Sequence, residues 1–562
     1  MIDHSLFNLV EIRACIVLFR YAPLIEALLL VGCALLLPIA TALPFIHTLT
    51  ALLIFEGVYA ASIYLPHKAR LRTLAKYPPP LTRTARAELF ERCVVNVSDW
   101  ERYLGLWFLC APAVEIKRDN VRDFLLWAFF DRDAPSASTE DHDNDKTPLV
   151  QAAEDDAEAS ALEQEVETFL ARTEALQGRK FAPGRGSAVP LRLTIDAIPT
   201  VYRSVIWYAI VALVDLITST FLLFAGFAWH PPSPDPSTAS AFPPTATLRA
   251  IPSPSPSPSI GYWFRPHRST THLPVLFIHG IGVGLWPYTK FLTELTSSPD
   301  GGGDIGILAL EILPVSTRLT SPLLTRTEFL SHLATILDAH PDWKDGFVLV
   351  SHSYGSVLTT HVLRSAELAL RVKGVVMIDP VSVLLHLPDV AYNFTRRRPR
   401  TANQWQLWYF ASMDVGVAEG LGRHFFWREN IIWREELVGI EGLTAEGAVL
   451  RSGSKGEKWR KVAVCLSGRD LIVDTRTVAR YLAGEGNLRE QLPGEKNPFD
   501  IAVAPKGHSG VESYSSYVAP SGIEILWFPT LDHAQVFDAP RDRGRVLEAV
   551  RKCCRIDTDV VR

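Results

Sequence analysis

The stretch Phe347 to Leu363, "FVLVSHSYGSVLTTHVL", places a serine among small residues, with Ser351, Ser353 and Gly355 alternating with His352 and Tyr354. A serine hydroxyl is a weak nucleophile until a base takes its proton, and imidazole is the side chain best matched to that task at neutral pH. The chemistry open to Ser353 is therefore attack on a carbonyl carbon, provided that a histidine and a carboxylate reach it. The alternative is a plain turn between two buried elements. The chain has 16 histidines, so residue type selects none of them. His533 stands directly after the last apolar strand, in "IEILWFPTLDHAQVFD", with Asp532 beside it. Asp470 ends the strand of "VAVCLSGRDLIVD", and Asp379 ends that of "GVVMIDP".

Positioning these groups needs a sheet. "LPVLFIHG", "IGILALEIL", "GFVLVSHS", "GVVMIDP", "KVAVCLSGRD" and "GIEILWFPTLDH" are short, almost wholly apolar segments separated by helical or irregular stretches. Strands of that kind are buried on both faces, which predicts an α/β domain with a mostly parallel sheet covered by helices. Ser353, Asp470 and His533 each follow a strand, so all three converge on the carboxyl edge of such a sheet.

From about residue 262 to the C-terminus the chain resembles an α/β-hydrolase. The family's nucleophile elbow reads G-x-S-x-G; "SHSYG" keeps Gly355 and has Ser351 in place of the first glycine. The resemblance implies Ser353 as nucleophile, Asp470 as acid and His533 as general base, in the family's Ser, Asp, His order. It also implies an oxyanion hole made by the backbone N–H groups of Ile281, in "VLFIHGIGVG", and of Tyr354. Asp379 is the alternative acid, because some members take theirs one strand earlier. Reading Gly280, Gly282 and Gly284 as a phosphate loop fails on Leu285, which occupies the last glycine position. The mechanism implied is a serine esterase or lipase acting through an acyl-enzyme, with no metal and no cofactor. An acyl acceptor other than water would make it an acyltransferase, and a triad that fails to assemble would leave a catalytically inactive membrane scaffold.

The rest of the chain points to a membrane. From Ala22 to Leu65 it is nearly all apolar, which predicts a hairpin of two transmembrane helices, about 22–43 and 45–65, within a unit 1–76. Glu56 falls inside the second and needs a partner. A third apolar segment spans 205–229; its Asp215 costs about 2.5 to 3.5 kcal/mol at mid-bilayer, which a dozen large apolar residues outweigh. Amphipathic helices are expected over 77–204, interrupted by an acidic, partly disordered loop at 134–167 that turns helical near its end. Alternating Pro and Ser over 230–260 read as a semi-rigid spacer holding a hydrolase domain, 261–562, off the membrane. Within it, about 381–459 is a cap insertion rich in aromatics, including Trp405, Trp408, Tyr409, Phe410, Phe425, Phe426, Trp427 and Trp433, a candidate roof for acyl chains.

Composition narrows the partners. A formal net charge of -5 gives no excess of positive charge for nucleic acid, and the seven cysteines are scattered without metal-ligand or disulfide spacing. Membrane lipids and a small hydrophobic ester substrate are the expected partners, at the endoplasmic reticulum, another endomembrane or the plasma membrane. Basic residues flanking the hairpin place the hydrolase outside the cytosol if all three segments span, which makes Asn393-Phe394-Thr395 a candidate glycan site.

Overall fold

The computed structural model describes residues 2, 5–132, 149–233, 241–245, 253–296, 303–439, 460–484 and 514–556, with the backbone alone for 149–158. One sheet organises the C-terminal part. Its strands are β1 (Ala228–His230), β2 (Gly261–Arg265), β3 (Val275–Ile278), β4 (Ile307–Glu311), β5 (Phe347–His352), β6 (Val372–Ile378), β7 (Lys461–Ser467), β8 (Ser515–Val518) and β9 (Ile523–Phe528). Their spatial order is β1-β2-β4-β3-β5-β6-β7-β9-β8. The six strands from β4 to β9 in that order pair in parallel; antiparallel β2 and β1 extend one flank and antiparallel β8 closes the other. Every residue of β3 and β5 is buried, as continuous apolar runs require when helices cover both faces.

The sheet begins earlier than residue 261. The third apolar helix is Val205–Phe224, and Gly226, at φ +81°, turns the chain into β1. Trp229 therefore belongs to the sheet and not to the apolar helix, packing on Trp263 of β2 with ring centroids 5.4 Å apart. The Pro/Ser run joins two neighbouring antiparallel strands, so it is an excursion from the sheet and not a spacer. Residues 234–240 and 246–252 of that run lie outside the described set.

Among the described residues, three helices are long and apolar enough to cross a membrane: Leu6–Leu36, Ile39–Arg70 and Val205–Phe224. The first begins well before residue 22, and the chain reverses at Leu37 and Pro38; Pro44, near the second helix's N-terminal end, is accommodated within it. Leu35, Leu36 and Ile39 around the reversal are largely exposed, as lipid-facing residues would be. Of the three acids in the apolar segments, Glu26 is buried with neither oxygen hydrogen-bonded among the described residues, whereas Glu56 and Asp215 are paired. Glu56 accepts from the Val205 backbone N–H at 2.9 Å and from the Tyr202 hydroxyl at 2.5 Å, so it caps the N-terminus of the third helix, where negative charge is favoured. Asp215 meets Arg318 of the hydrolase part at 2.7 Å.

Between hairpin and third helix, Arg83–Val94, Trp100–Trp107, Arg118–Phe130 and Leu149–Gln177 pack on one another, Phe90 stacking on Phe169 at 3.9 Å. The acidic loop expected through residue 167 is already helix from Leu149, and 134–148 lie outside the described residues. Its acids are held by arginines from neighbouring helices: Glu163 by Arg122, Glu165 by Arg86 and Glu167 by Arg118, at 2.5 to 2.7 Å. Paired this way, carboxylates that would repel along one helix face become contacts between helices.

Candidate active site

β5 ends at His352, Ser353 takes φ +51°, and a helix starts at Gly355. A non-glycine residue at positive φ costs of order 1 kcal/mol or more and persists only where its surroundings enforce it. Two glycines make the room. A Cβ on Gly355 would lie 2.3 Å from the Ile278 carbonyl oxygen, and one on Gly280 would lie 2.8 Å from the Ser353 Cβ. The crowding falls on these two positions, whereas Ser351 is an ordinary buried member of β5, opposite Ile278 and Met377. Serine in place of the first elbow glycine therefore does not prevent the turn.

The loops after β7 and β9 bring the other groups to Ser353. His533 Nε2 lies 2.8 Å from Ser353 Oγ, and His533 Nδ1 lies 2.6 Å from Asp470 Oδ2. An imidazole that donates from Nδ1 to the carboxylate keeps its Nε2 lone pair for the serine proton. The other Asp470 oxygen accepts from the Ile472 and Val473 N–H groups, which fixes the carboxylate plane.

Asp379 is close but makes no hydrogen bond to His533. It sits at φ +43° and accepts from the Ser467 N–H and hydroxyl and from the Ala534 N–H, at 2.9 to 3.1 Å. Asp532 accepts from the Leu471 and His533 N–H groups at 2.9 and 2.7 Å and from the Asn403 side chain. Both carboxylates thus tie the acid-bearing loop to the histidine-bearing loop, a positioning role that the sequence does not announce. Burial, with the Asp470 charge adding to it, pushes Asp379 up to about 6.

Around the histidine the electrostatics oppose burial. Burial alone would lower the pKa of His533, but the Asp470 charge and hydrogen bond, backed by Asp379 and Asp532, raise it to about 9. A general base must be neutral, so kcat/KM on an uncharged ester should rise with pH and level off only above about 9. A pH-rate profile checks this, and a plateau already reached at pH 7 would contradict it. The same shift stabilises the fold fully below the unfolded value of about 6.5, and that contribution is lost as pH rises through 9.

The backbone N–H groups of Ile281 and Tyr354 donate to no described residue. The Ile281 loop is held by His279, whose Nδ1 donates to the Gly280 carbonyl at 2.7 Å while Nε2 accepts from the Ile312 N–H at 2.9 Å. Burial pushes His279 down to about 4, in keeping with the neutral tautomer that both contacts require. Behind the elbow, the Tyr288 hydroxyl accepts from the Gly280 N–H at 3.2 Å and donates to His352 Nδ1 at 2.7 Å. Neither Tyr288 nor His352 stands out in the sequence.

Ser353 opens onto a narrow apolar chamber. Of the cap aromatics, Phe425, Phe426 and Trp427 line it. Trp405 lies under Arg13 of the first helix, Phe410 packs against Phe19 and Trp207, and Trp433 is buried beside His386. The opposite wall comes from the region between hairpin and third helix: Tyr77, Trp107, Trp127, Leu193 and Thr194. That region is thus part of the pocket, a role that its amphipathic pattern does not reveal. Asn393, the candidate glycan site, is engaged at the chamber's edge, its Nδ2 donating to the Ile472 carbonyl and its Oδ1 accepting from Arg397.

No family model matches the chain, and no curated protein matches it. Similar solved structures include a membrane phospholipase A described as a bacterial virulence factor, 13% identical over 62% of this chain and 94% of that one, with TM-score 0.33. Others are the carboxylesterase CesB from Bacillus subtilis, 11% identical over 60% and 98%, TM-score 0.30, and an esterase from Pyrococcus furiosus, 13% identical over 52% and 85%, TM-score 0.30. With its sheet order, its strained serine turn after β5 and its loops after β7 and β9 meeting at that turn, the chain has the α/β-hydrolase fold.

Proposed function

We propose that this protein is a membrane-anchored serine hydrolase that cleaves a lipid or another hydrophobic carboxylic ester. The observation that carries the reading is the chain of contacts from Ser353 Oγ through His533 to Asp470, at 2.8 and 2.6 Å, opening on an apolar chamber. His533 takes the Ser353 proton as Oγ attacks the ester carbonyl, and the N–H groups of Ile281 and Tyr354 receive the developing oxyanion. Each such donor is worth about 3 to 4 kcal/mol in the transition state. His533 then protonates the leaving alcohol, and water activated by the same imidazole releases the acid.

The chamber favours a hydrophobic acyl group. Its lining is almost wholly apolar, and each methylene buried against it contributes about 0.8 kcal/mol. Three long apolar helices would keep the enzyme where such esters reside.

Labelling of the detergent-solubilised protein by a fluorophosphonate probe tests the proposal. Wild type should label, and Ser353→Ala and His533→Ala should not. Absence of labelling in wild type, in detergent and again in lipid vesicles, would overturn the reading in favour of a catalytically inactive scaffold.

A further inference from the structure

The third apolar helix touches the loop that carries Ile281. Phe221 packs on Trp286 with ring centroids 6.2 Å apart, and Val283 joins the cluster formed by Tyr208, Val211 and Leu319. A buried polar link between helix and domain is Asp215, which meets Arg318 at 2.7 Å, with Arg318 only 2% exposed. Arg318 also donates to the Pro243 carbonyl, and Leu319 exchanges backbone hydrogen bonds with Phe242.

The segment that ends at Arg318 is the one that holds the loop. The Ile312 N–H donates to His279 Nε2 at 2.9 Å, the Gly282 N–H donates to the Val315 carbonyl at 3.1 Å, and the Thr317 hydroxyl donates to the Gly282 carbonyl at 3.0 Å. Thr317 sits at φ +56°, a strained conformation that needs support from its surroundings. Glu311, buried at the start of the segment, lies against Gly284, where a Cβ would come 3.5 Å from its Oε1. Three hydrogen bonds to His279 and Gly282, the residues around Ile281, and the ion pair to the helix thus lie on one continuous stretch, 311–318.

We propose that the helix Val205–Phe224 is a positioning element of the active site: Asp215, acting through Arg318 and the segment 312–317, holds the Ile281 amide where the oxyanion forms. This rests on Ser353 being the nucleophile. Asp215 and Arg318 touch neither substrate nor the reacting atoms. With the ion pair removed, the Ser353, His533 and Asp470 contacts persist while the oxyanion loop loses its register, so the loss falls on the transition state and not on substrate binding.

The test compares full-length wild type, Asp215→Asn, Arg318→Gln and Arg318→Lys in vesicles of neutral phospholipid. Deleting an oxyanion donor outright costs about 10² to 10³ in kcat, so a displaced one should cost about 10- to 100-fold in Asp215→Asn and Arg318→Gln, with KM for a short ester unchanged. Affinity for a trifluoromethyl ketone, whose serine adduct places an oxyanion in the same hole, should fall in parallel, and Arg318→Lys should recover most of both. Unchanged kcat and inhibitor affinity, a change confined to KM, or an Arg318→Lys variant as impaired as Arg318→Gln would overturn the proposal. Amide hydrogen exchange over residues 279–286 reads the loop without turnover: protection should fall at least about tenfold in Arg318→Gln but not in Arg318→Lys. If wild type cleaves no ester, the hydrolase reading fails, and the exchange result still decides whether the helix holds the loop.

Discussion

Ser353→Ala is expected to lose about six orders of magnitude in kcat on a soluble ester, and His533→Ala about as much. The two act as one unit, because the hydroxyl is not a nucleophile without the imidazole 2.8 Å away, and the imidazole has nothing to activate without the hydroxyl. The double variant should therefore be no slower than either single one. What remains should be a residual rate of about 10³ to 10⁴ over water, from the oxyanion donors and the chamber. Steady-state assays on purified variants decide this: a Ser353→Ala enzyme that keeps a hundredth of wild-type activity, or a double variant far below both singles, would contradict it.

The second large effect separates the two carboxylates. Asp470→Asn should lower kcat by about 10⁴, since an amide facing Nδ1 favours the wrong imidazole tautomer and withdraws the charge that stabilises the imidazolium. Asp379→Asn should leave that pairing intact. Its buried carboxylate accepts from Ser467 and Ala534, so its loss should appear mainly as about 1 to 3 kcal/mol of stability, with a smaller change in kcat. Measuring kcat and thermal-unfolding midpoints for both variants distinguishes them. A reversed pattern, with Asp379→Asn nearly inactive and Asp470→Asn mildly impaired, would make Asp379 the acid.

The parts of this architecture that sequence reading reached are those governed by local pattern. Continuous apolar runs identify the parallel strands, and small residues after one of them identify a tight serine turn, because burial and steric crowding act on neighbours in the chain. The choice between Asp470 and Asp379 is a matter of three-dimensional reach: both end strands, and only the fold shows which carboxylate meets Nδ1 and which binds backbone. The chamber wall made by Tyr77, Trp107 and Trp127 was illegible for another reason. Aromatics at helical spacing look the same whether they face a core or a cavity, and their partners lie some three hundred residues away. Strand β1 was missed because three residues, Ala228 to His230, carry too little pattern to stand out at the end of an apolar helix. Helix Leu149–Gln177 begins inside an acidic stretch, where composition argues for solvation and only the arginines of other helices argue for order.

The placement of β1 bears on what proteolysis of the Pro/Ser stretch would do if the three apolar helices span a membrane. Many anchored enzymes are shed when a protease cuts the stalk between anchor and catalytic body. Here the Pro/Ser stretch between His230 and Gly261 has the look of such a stalk, yet it begins and ends on adjacent strands of the same sheet, with Trp229 seated against Trp263. A cut within it would leave two fragments joined by a strand pairing, a buried tryptophan contact and the Asp215 to Arg318 ion pair. The chain would be nicked, with its apolar helices still attached to the sheet.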